Sequence, residues 1–146
     1  MPSSTRTPRR TPERRHPRGL IDTSVVIDLD SIDPGDLPIE IAVSAITFAE
    51  LAAGPHATTD PGERARRQDR LQRAEATFDP LPVDAAVARA YGRVFAAVNA
   101  AGRKARGRRF ADLMIAATAV AAGLPLYTRN VDDFAGLSDL LEIVCV

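Results

Sequence analysis

The sequence predicts an α/β fold, a central, mainly parallel twisted sheet with helices on both faces. Two observations carry this. Short β-type runs alternate with longer helical ones from residue 19 onward, and strands joined through helices pair in parallel, with right-handed crossovers. The chain is also 146 residues long, which suits one core and is too short for two domains of ordinary size.

The predicted strands are "GLI", "EIAVSAI", "PLYT" and "LEIVCV", with a weaker one near "TFDPL". Between them, "PGERARRQDRLQRAEATF" reads as a helix charged on most faces, and therefore peripheral or facing a partner. "DAAVARAYGRVFAAVNAAG" places Val87, Tyr91, Val94, Phe95 and Val98 on one face of a 3.6-residue period, with Asp84 as N-cap and Gly102 as stop. "ADLMIAATAVAAG" is nearly all apolar, which predicts a helix buried on most sides and ended by Gly123 and Pro125.

Charge divides the chain at residue 18. Residues 1–18 hold six arginines, one glutamate and four prolines, with no core-sized apolar side chain after Met1. Ordering them would bury almost nothing, so a disordered Arg/Pro-rich tail is expected before a domain spanning 19–146. The prolines break the amphipathic helix that a transit peptide needs. The rest of the chain holds 13 basic and 18 acidic residues, a net charge of −5. Cys145 is the only cysteine, which excludes an internal disulfide and favours a reducing compartment. The longest apolar run, "LMIAATAVAAGLPL", is too short to span a bilayer.

Ligands of parallel sheets bind outside the carboxyl ends of the strands, and acids fall there. Asp22 follows "GLI", Glu50 opens the helix after "EIAVSAI", Asp112 starts the buried helix, and Asp132 and Asp133 follow "PLYT". Each has a structural reading: Thr47 to Glu50 fits a capping box, and Asp112, Asp132 or Asp133 suits a helix or turn start. Asp22 is harder to explain so, because a carboxylate beside a core is costly unless paired, hydrogen-bonded or bound to a cation. Two like charges about 4 Å apart repel by roughly 4 kcal/mol at an effective dielectric of 20. Four converging acids therefore call for cations. Lys104 is the only lysine, and an oxygen-lined site suits Mg²⁺ or Mn²⁺.

Other chemistries lack their residues. The two histidines, His16 and His56, form no zinc-spaced set or nucleophilic triad, and no phosphate-binding or dinucleotide glycine loop occurs.

"DTS" closing the first strand, a Glu opening the helix after the second, "ADLMIAATA" with its leading Asp and "TRNVDDF" in this order resemble the PIN-domain ribonucleases, specifically the VapC toxins of toxin–antitoxin pairs. The similarity runs from about Gly19 to Val146. It implies a three-layer α/β/α sandwich and assigns Asp22, Glu50, Asp112 and Asp133 as metal-binding, catalytic acids. Many family members carry an acid where this chain has Asn130, and Asp132 is a neighbouring alternative, so the fourth position and a second metal stay open. Thr23, Ser24 and Thr128 match positions that orient the acids or the water.

The resemblance further implies Mg²⁺- or Mn²⁺-dependent endonucleolytic cleavage of RNA such as tRNA or rRNA, with growth inhibition. It implies a homodimer, a VapB-type antitoxin that joins the toxin to operator DNA, and a bacterial cytoplasmic location. Arg103, Lys104, Arg106, Arg108 and Arg109 precede Asp112 and offer cations to RNA phosphates. Seven aromatic residues are too few for extensive base stacking. A haloacid-dehalogenase-type phosphatase expects Asp where Ser24 stands, and a receiver domain needs a lysine at a late strand end. The remaining alternative is a non-catalytic PIN-like module that binds RNA or protein.

Overall fold

The computed structural model describes residues 15–102 and 108–146. Among these residues four strands, β1 (Arg18–Ile21), β2 (Glu40–Val43), β3 (Leu126–Thr128) and β4 (Ile143–Cys145), form one sheet in the order β2-β1-β3-β4. Every pairing is parallel, with Ile21 opposite Val43 and Tyr127, and Thr128 opposite Cys145. The expected doubtful strand is reduced to a single bridge between Ser44 and Leu81. β2, β3 and β4 are shorter than the apolar runs that predict them, whereas β1 contains all of its run and gains Arg18; β2 stops where the chain turns into a helix at Ala45.

Among the described residues five α-helices flank the sheet: α1 (Thr23–Ile27), α2 (Ala45–Ala53), α3 (Pro61–Thr77), α4 (Ala85–Ala100) and α5 (Arg108–Ala122). Side chains alternate across β1, so Leu20 and Ile21 enter different cores. Leu20 packs with Val94, Val98, Leu113, Ile115 and Phe134, under α4 and α5. Ile21 packs with Val25, Val26, Leu51, Ala74 and Tyr127, under α1, α2 and α3. These two apolar layers make the predicted sandwich. α5 is buried from Leu113 through Ala119, as its composition requires, and ends at Gly123 in the left-handed region (φ 66°).

α4 differs from its predicted stripe. Val87, Ala90, Val94 and Val98 are buried, whereas Phe95 is 39% exposed. Phe95 lies at the edge of the stripe and joins Tyr91 and Phe110 in a surface aromatic cluster, with the Tyr91 and Phe110 ring centroids 5.5 Å apart.

Composition places residues 15–18 in the tail, yet they dock on the domain. Arg15 Nε donates to the Leu37 carbonyl at 3.0 Å, His16 Nε2 lies 2.9 Å from a Glu142 carboxylate oxygen, and Arg18 opens β1. Hydrogen bonding, an ion pair and pairing at the start of β1 hold them where apolar burial would not. Residues 1–14 of that tail lie outside the described residues.

Gly19 is fixed by a close approach. A Cβ there would meet the Tyr127 ring at 2.6 Å and Pro38 Cβ at 3.1 Å. Gly19→Ala is expected to destabilise the fold by about 1–3 kcal/mol through overpacking in a central strand, read as a lower urea midpoint at unchanged slope.

At the start of α3, Asp60 caps the helix by accepting from Glu63 N–H at 2.9 Å. Hydrogen bonds from Arg66 and then Arg67 hold the Glu63 carboxyl below its usual range. A depressed folded value stabilises above the unfolded value of 4.5 and fades as pH falls through the folded one. Glu63→Gln is therefore expected to lower the melting temperature slightly at neutral pH, with the difference vanishing in acid. Melts across that range test it.

Candidate functional site

The sheet order reverses between β1 and β3: the chain moves from β1 out to β2, then returns to add β3 on the other side. A crevice opens at the carboxyl ends of strands at such a switch point. Asp22 follows β1 there, and Thr128 ends β3 there.

Asp22 is 4% exposed, and its burial is compensated locally. It is the N-cap of α1 in extended backbone (φ −83°, ψ 178°). Its Oδ1 accepts from Val25 N–H at 3.1 Å and from the Ser24 hydroxyl at 2.6 Å, a cap worth about 1 kcal/mol. Among the described residues no hydrogen bond reaches Oδ2, and no buried side-chain oxygen or nitrogen lacks a partner. Both contacts are made by the same oxygen, Oδ1. The strand-end charge is held through one oxygen by the turn that follows it.

Glu50 sits in the second turn of α2 rather than at its start. Ser44 is the N-cap, accepting from Ile46 N–H at 3.0 Å, and Thr47 is fully buried inside the helix, so the expected capping box does not form. Thr23 Oγ1 instead donates to Glu50 Oε1 at 2.7 Å. A hydroxyl carries one proton, so in the 3.0 Å contact with Thr47 Oγ1 the Thr47 hydroxyl donates. Thr23 and Thr47 together tie exposed Glu50 to the turn that bears Asp22.

Asp112 is the fifth residue of α5 and half-buried, since the helix begins earlier than predicted, at Arg108. Asp132 and Asp133 lie exposed within a 3-10 turn at Val131–Phe134, and Asn130 is its N-cap without a side-chain capping bond. Fully buried Thr128 accepts from Asn130 N–H through Oγ1 at 3.0 Å and orients that turn.

Among the described residues no three His, Cys, Asp or Glu side chains group closely enough to hold a metal ion. The expected convergence is therefore not a direct ligand cluster. Like-charged carboxylates repel, and here Asp22 Oδ1 and Glu50 Oε1 are engaged by neighbouring donors.

Of the expected RNA-binding cations, Arg103, Lys104 and Arg106 lie outside the described residues, and only the backbone of Arg108 is described. Arg109 is half-buried at the start of α5. One residue missed by the sequence reading is Arg129, whose N–H donates to Ser24 Oγ at 3.2 Å. Its signal was its place in "YTRNVDD", a charge directly after a strand.

A PIN-domain profile matches residues 20–139. The chain belongs to the PIN-domain family. Within that family it is similar to Ribonuclease VapC5 of Mycobacterium tuberculosis (strain ATCC 25618 / H37Rv), 37% identical over 128 residues that cover 86% of this chain and 91% of the relative. The fold superposes with a TM-score of 0.78 on VapBC-5, a toxin–antitoxin system from Mycobacterium tuberculosis, at 36% identity over 89% of this chain and 99% of that one. A VapBC2 structure from Rickettsia felis bound to a promoter DNA fragment superposes at 0.69, with 21% identity over 88% of this chain and 98% of that one, and shows the PIN fold alone.

Proposed function

We propose that this PIN domain is the toxin of a VapBC-type pair, an Mg²⁺- or Mn²⁺-dependent endoribonuclease that cuts structured RNA such as tRNA or rRNA and so arrests growth. The observation that carries the reading is Asp22, a buried carboxylate fixed through Oδ1 at the switch point of the sheet. Asp22, Glu50, Asp112 and Asp133 are the acids assigned to the reaction, with Asn130 or Asp132 as alternatives for the fourth. The oxygen-only donor set fits a hard cation, and Mg²⁺ characteristically keeps several waters and takes only one or two direct carboxylates. Separated acids of this kind are compatible with such water-mediated holding.

A divalent cation bound here would lower the pKa of its water and neutralise charge on the phosphate. The chain's own residues do the positioning. Ser24 and the α1 amide fix Asp22, Thr23 fixes Glu50, and Thr128 fixes the turn carrying Asp132 and Asp133. The partners follow from the same reading: an RNA substrate, a second copy of the chain, and a VapB-type antitoxin that covers the crevice and takes the pair to operator DNA. No described helix is long and apolar enough to cross a membrane, and the bacterial cytoplasm is the proposed location.

The separated acids equally describe a non-catalytic RNA- or protein-binding module. One experiment divides the two. The purified chain is incubated with total bacterial RNA, with Mg²⁺ or Mn²⁺ and with EDTA, beside Asp112→Asn, and cut ends are mapped. Discrete cleavage lost in EDTA and in the variant is expected. Bound but uncut RNA favours the module.

A further inference from the structure

We infer that Arg129 is a phosphate-contacting residue of this crevice, held before RNA arrives by Asp28. The inference rests on the ribonuclease reading above and names a group that the carboxylates alone do not provide.

The backbone of Arg129 is already part of the site. Its N–H donates to Ser24 Oγ at 3.2 Å, and the Ser24 hydroxyl donates to Asp22 Oδ1 at 2.6 Å. Two hydrogen bonds therefore connect this residue to the best-held carboxylate. The side chain is used very little. Its Nε lies 3.4 Å from Asp28 Oδ2, with the two side chains 36% and 48% exposed, and no guanidinium N–H makes a hydrogen bond among the described residues. Arg15, Arg64 and Arg67, by contrast, each spend guanidinium N–H groups on protein oxygens. An exposed pair without a hydrogen bond is weak and screened by salt. Asp28 serves as a placeholder that a better anion displaces.

Charge and shape identify that anion. The edge presents Asp22, Glu50, Asp132 and Asp133, and a polyanion approaching it needs a cation. Arginine's planar fork matches two oxygens of a phosphodiester, a geometry that the lone Nε contact with Asp28 leaves unspent. Asp28 caps the far end of α1 from Asp22, roughly 9 Å away at the helical rise of 1.5 Å per residue. Arg129 accordingly grips a phosphate flanking the one beside Asp22. It is a binding and positioning residue and takes no proton.

The rival role is structural, an ion pair that ties β3 to α1. Arg129→Ala separates the two because it keeps the backbone N–H, and with it the bond to Ser24. The test measures binding of a short fluorescein-labelled single-stranded RNA by anisotropy across a NaCl series. The full-length chain carries Asp22→Asn throughout, so that the probe is not cut.

Added Arg129→Ala is expected to weaken binding roughly tenfold at low salt and to flatten the slope of log affinity against log salt by about 0.7, one phosphate contact on a single strand. Arg129→Lys is expected to keep the slope and regain part of the affinity. Asp28→Asn is expected to tighten binding a few-fold, and to do nothing once Arg129 is alanine.

A structural pair predicts instead that both variants lower the melting temperature and leave the salt slope alone, and that result overturns the inference. Tightening by Asp28→Asn supports it even if Arg129→Ala folds poorly. If the unmodified chain cuts RNA while Arg129→Ala binds like its parent, the inference alone falls. If no RNA is bound or cut by any version, the ribonuclease reading falls with it.

Discussion

Asp22→Asn is expected to reduce RNA cleavage by on the order of a hundredfold or more while leaving the fold intact, the scale seen when one preorganised electrostatic group is removed. The stability half of this expectation comes from the cap. Asparagine caps helices about as well as aspartate, so Val25 N–H and the Ser24 hydroxyl keep an oxygen partner in the variant. The negative charge toward the crevice is what disappears. Asp22→Ala removes both and is expected to lose a further 0.5–2 kcal/mol or about that of stability with the cap. Single-turnover cleavage beside thermal melts of the two variants separates chemistry from folding. An asparagine variant that cuts at the parental rate would end the assignment of Asp22 to the reaction.

Phe134→Ala is expected to be the most damaging single truncation of the fold. Phe134 is 1% exposed and is the largest fully buried side chain among the described residues. It closes the 3-10 turn that carries Asp132 and Asp133 and packs in the core under α4 and α5. Truncating a buried phenylalanine costs about 3–5 kcal/mol, against a total stability of roughly 5–15 kcal/mol for a natural domain. A fall in melting temperature on the order of 10 °C follows. Val131→Ala, in the same turn but 38% exposed, is expected to stay within about 0.5 kcal/mol. Equal melts for the two variants would mean that the turn is not pinned through Phe134.

The fold was legible because its signals are redundant. α5 announces itself through an unbroken apolar run, and α4 through Asp84 and its periodic valines. α1 was not legible. Five residues are too few to show a period, and only the geometry of Asp22 reveals that a helix begins there. Residues 15–18 misled for another reason, since composition measures apolar burial and cannot foresee Arg15 finding backbone carbonyls.

The site was legible in its residue types and less so in its geometry. Asp22 stands out from sequence because a charge beside a core needs an explanation. Thr23 and Ser24 match positions that orient the acids in the family the sequence resembles, and each places a hydroxyl on an acid. Glu50 was misplaced at a helix start because T-x-x-E reads as a capping box wherever it occurs. The true N-cap, Ser44, lies three residues earlier than Thr47 and wins because β2 ends directly before it.

Cys145 lies exposed on β4, an outer strand of the sheet, directly opposite Thr128. As the sole thiol in the chain, it allows a maleimide dye to be attached at one position without engineering any cysteine in or out. The dye would sit at the carboxyl rim of the sheet, one strand from the crevice. Occupancy of that crevice by nucleic acid or by an inhibitory protein segment thereby becomes an optical signal from an otherwise unaltered molecule.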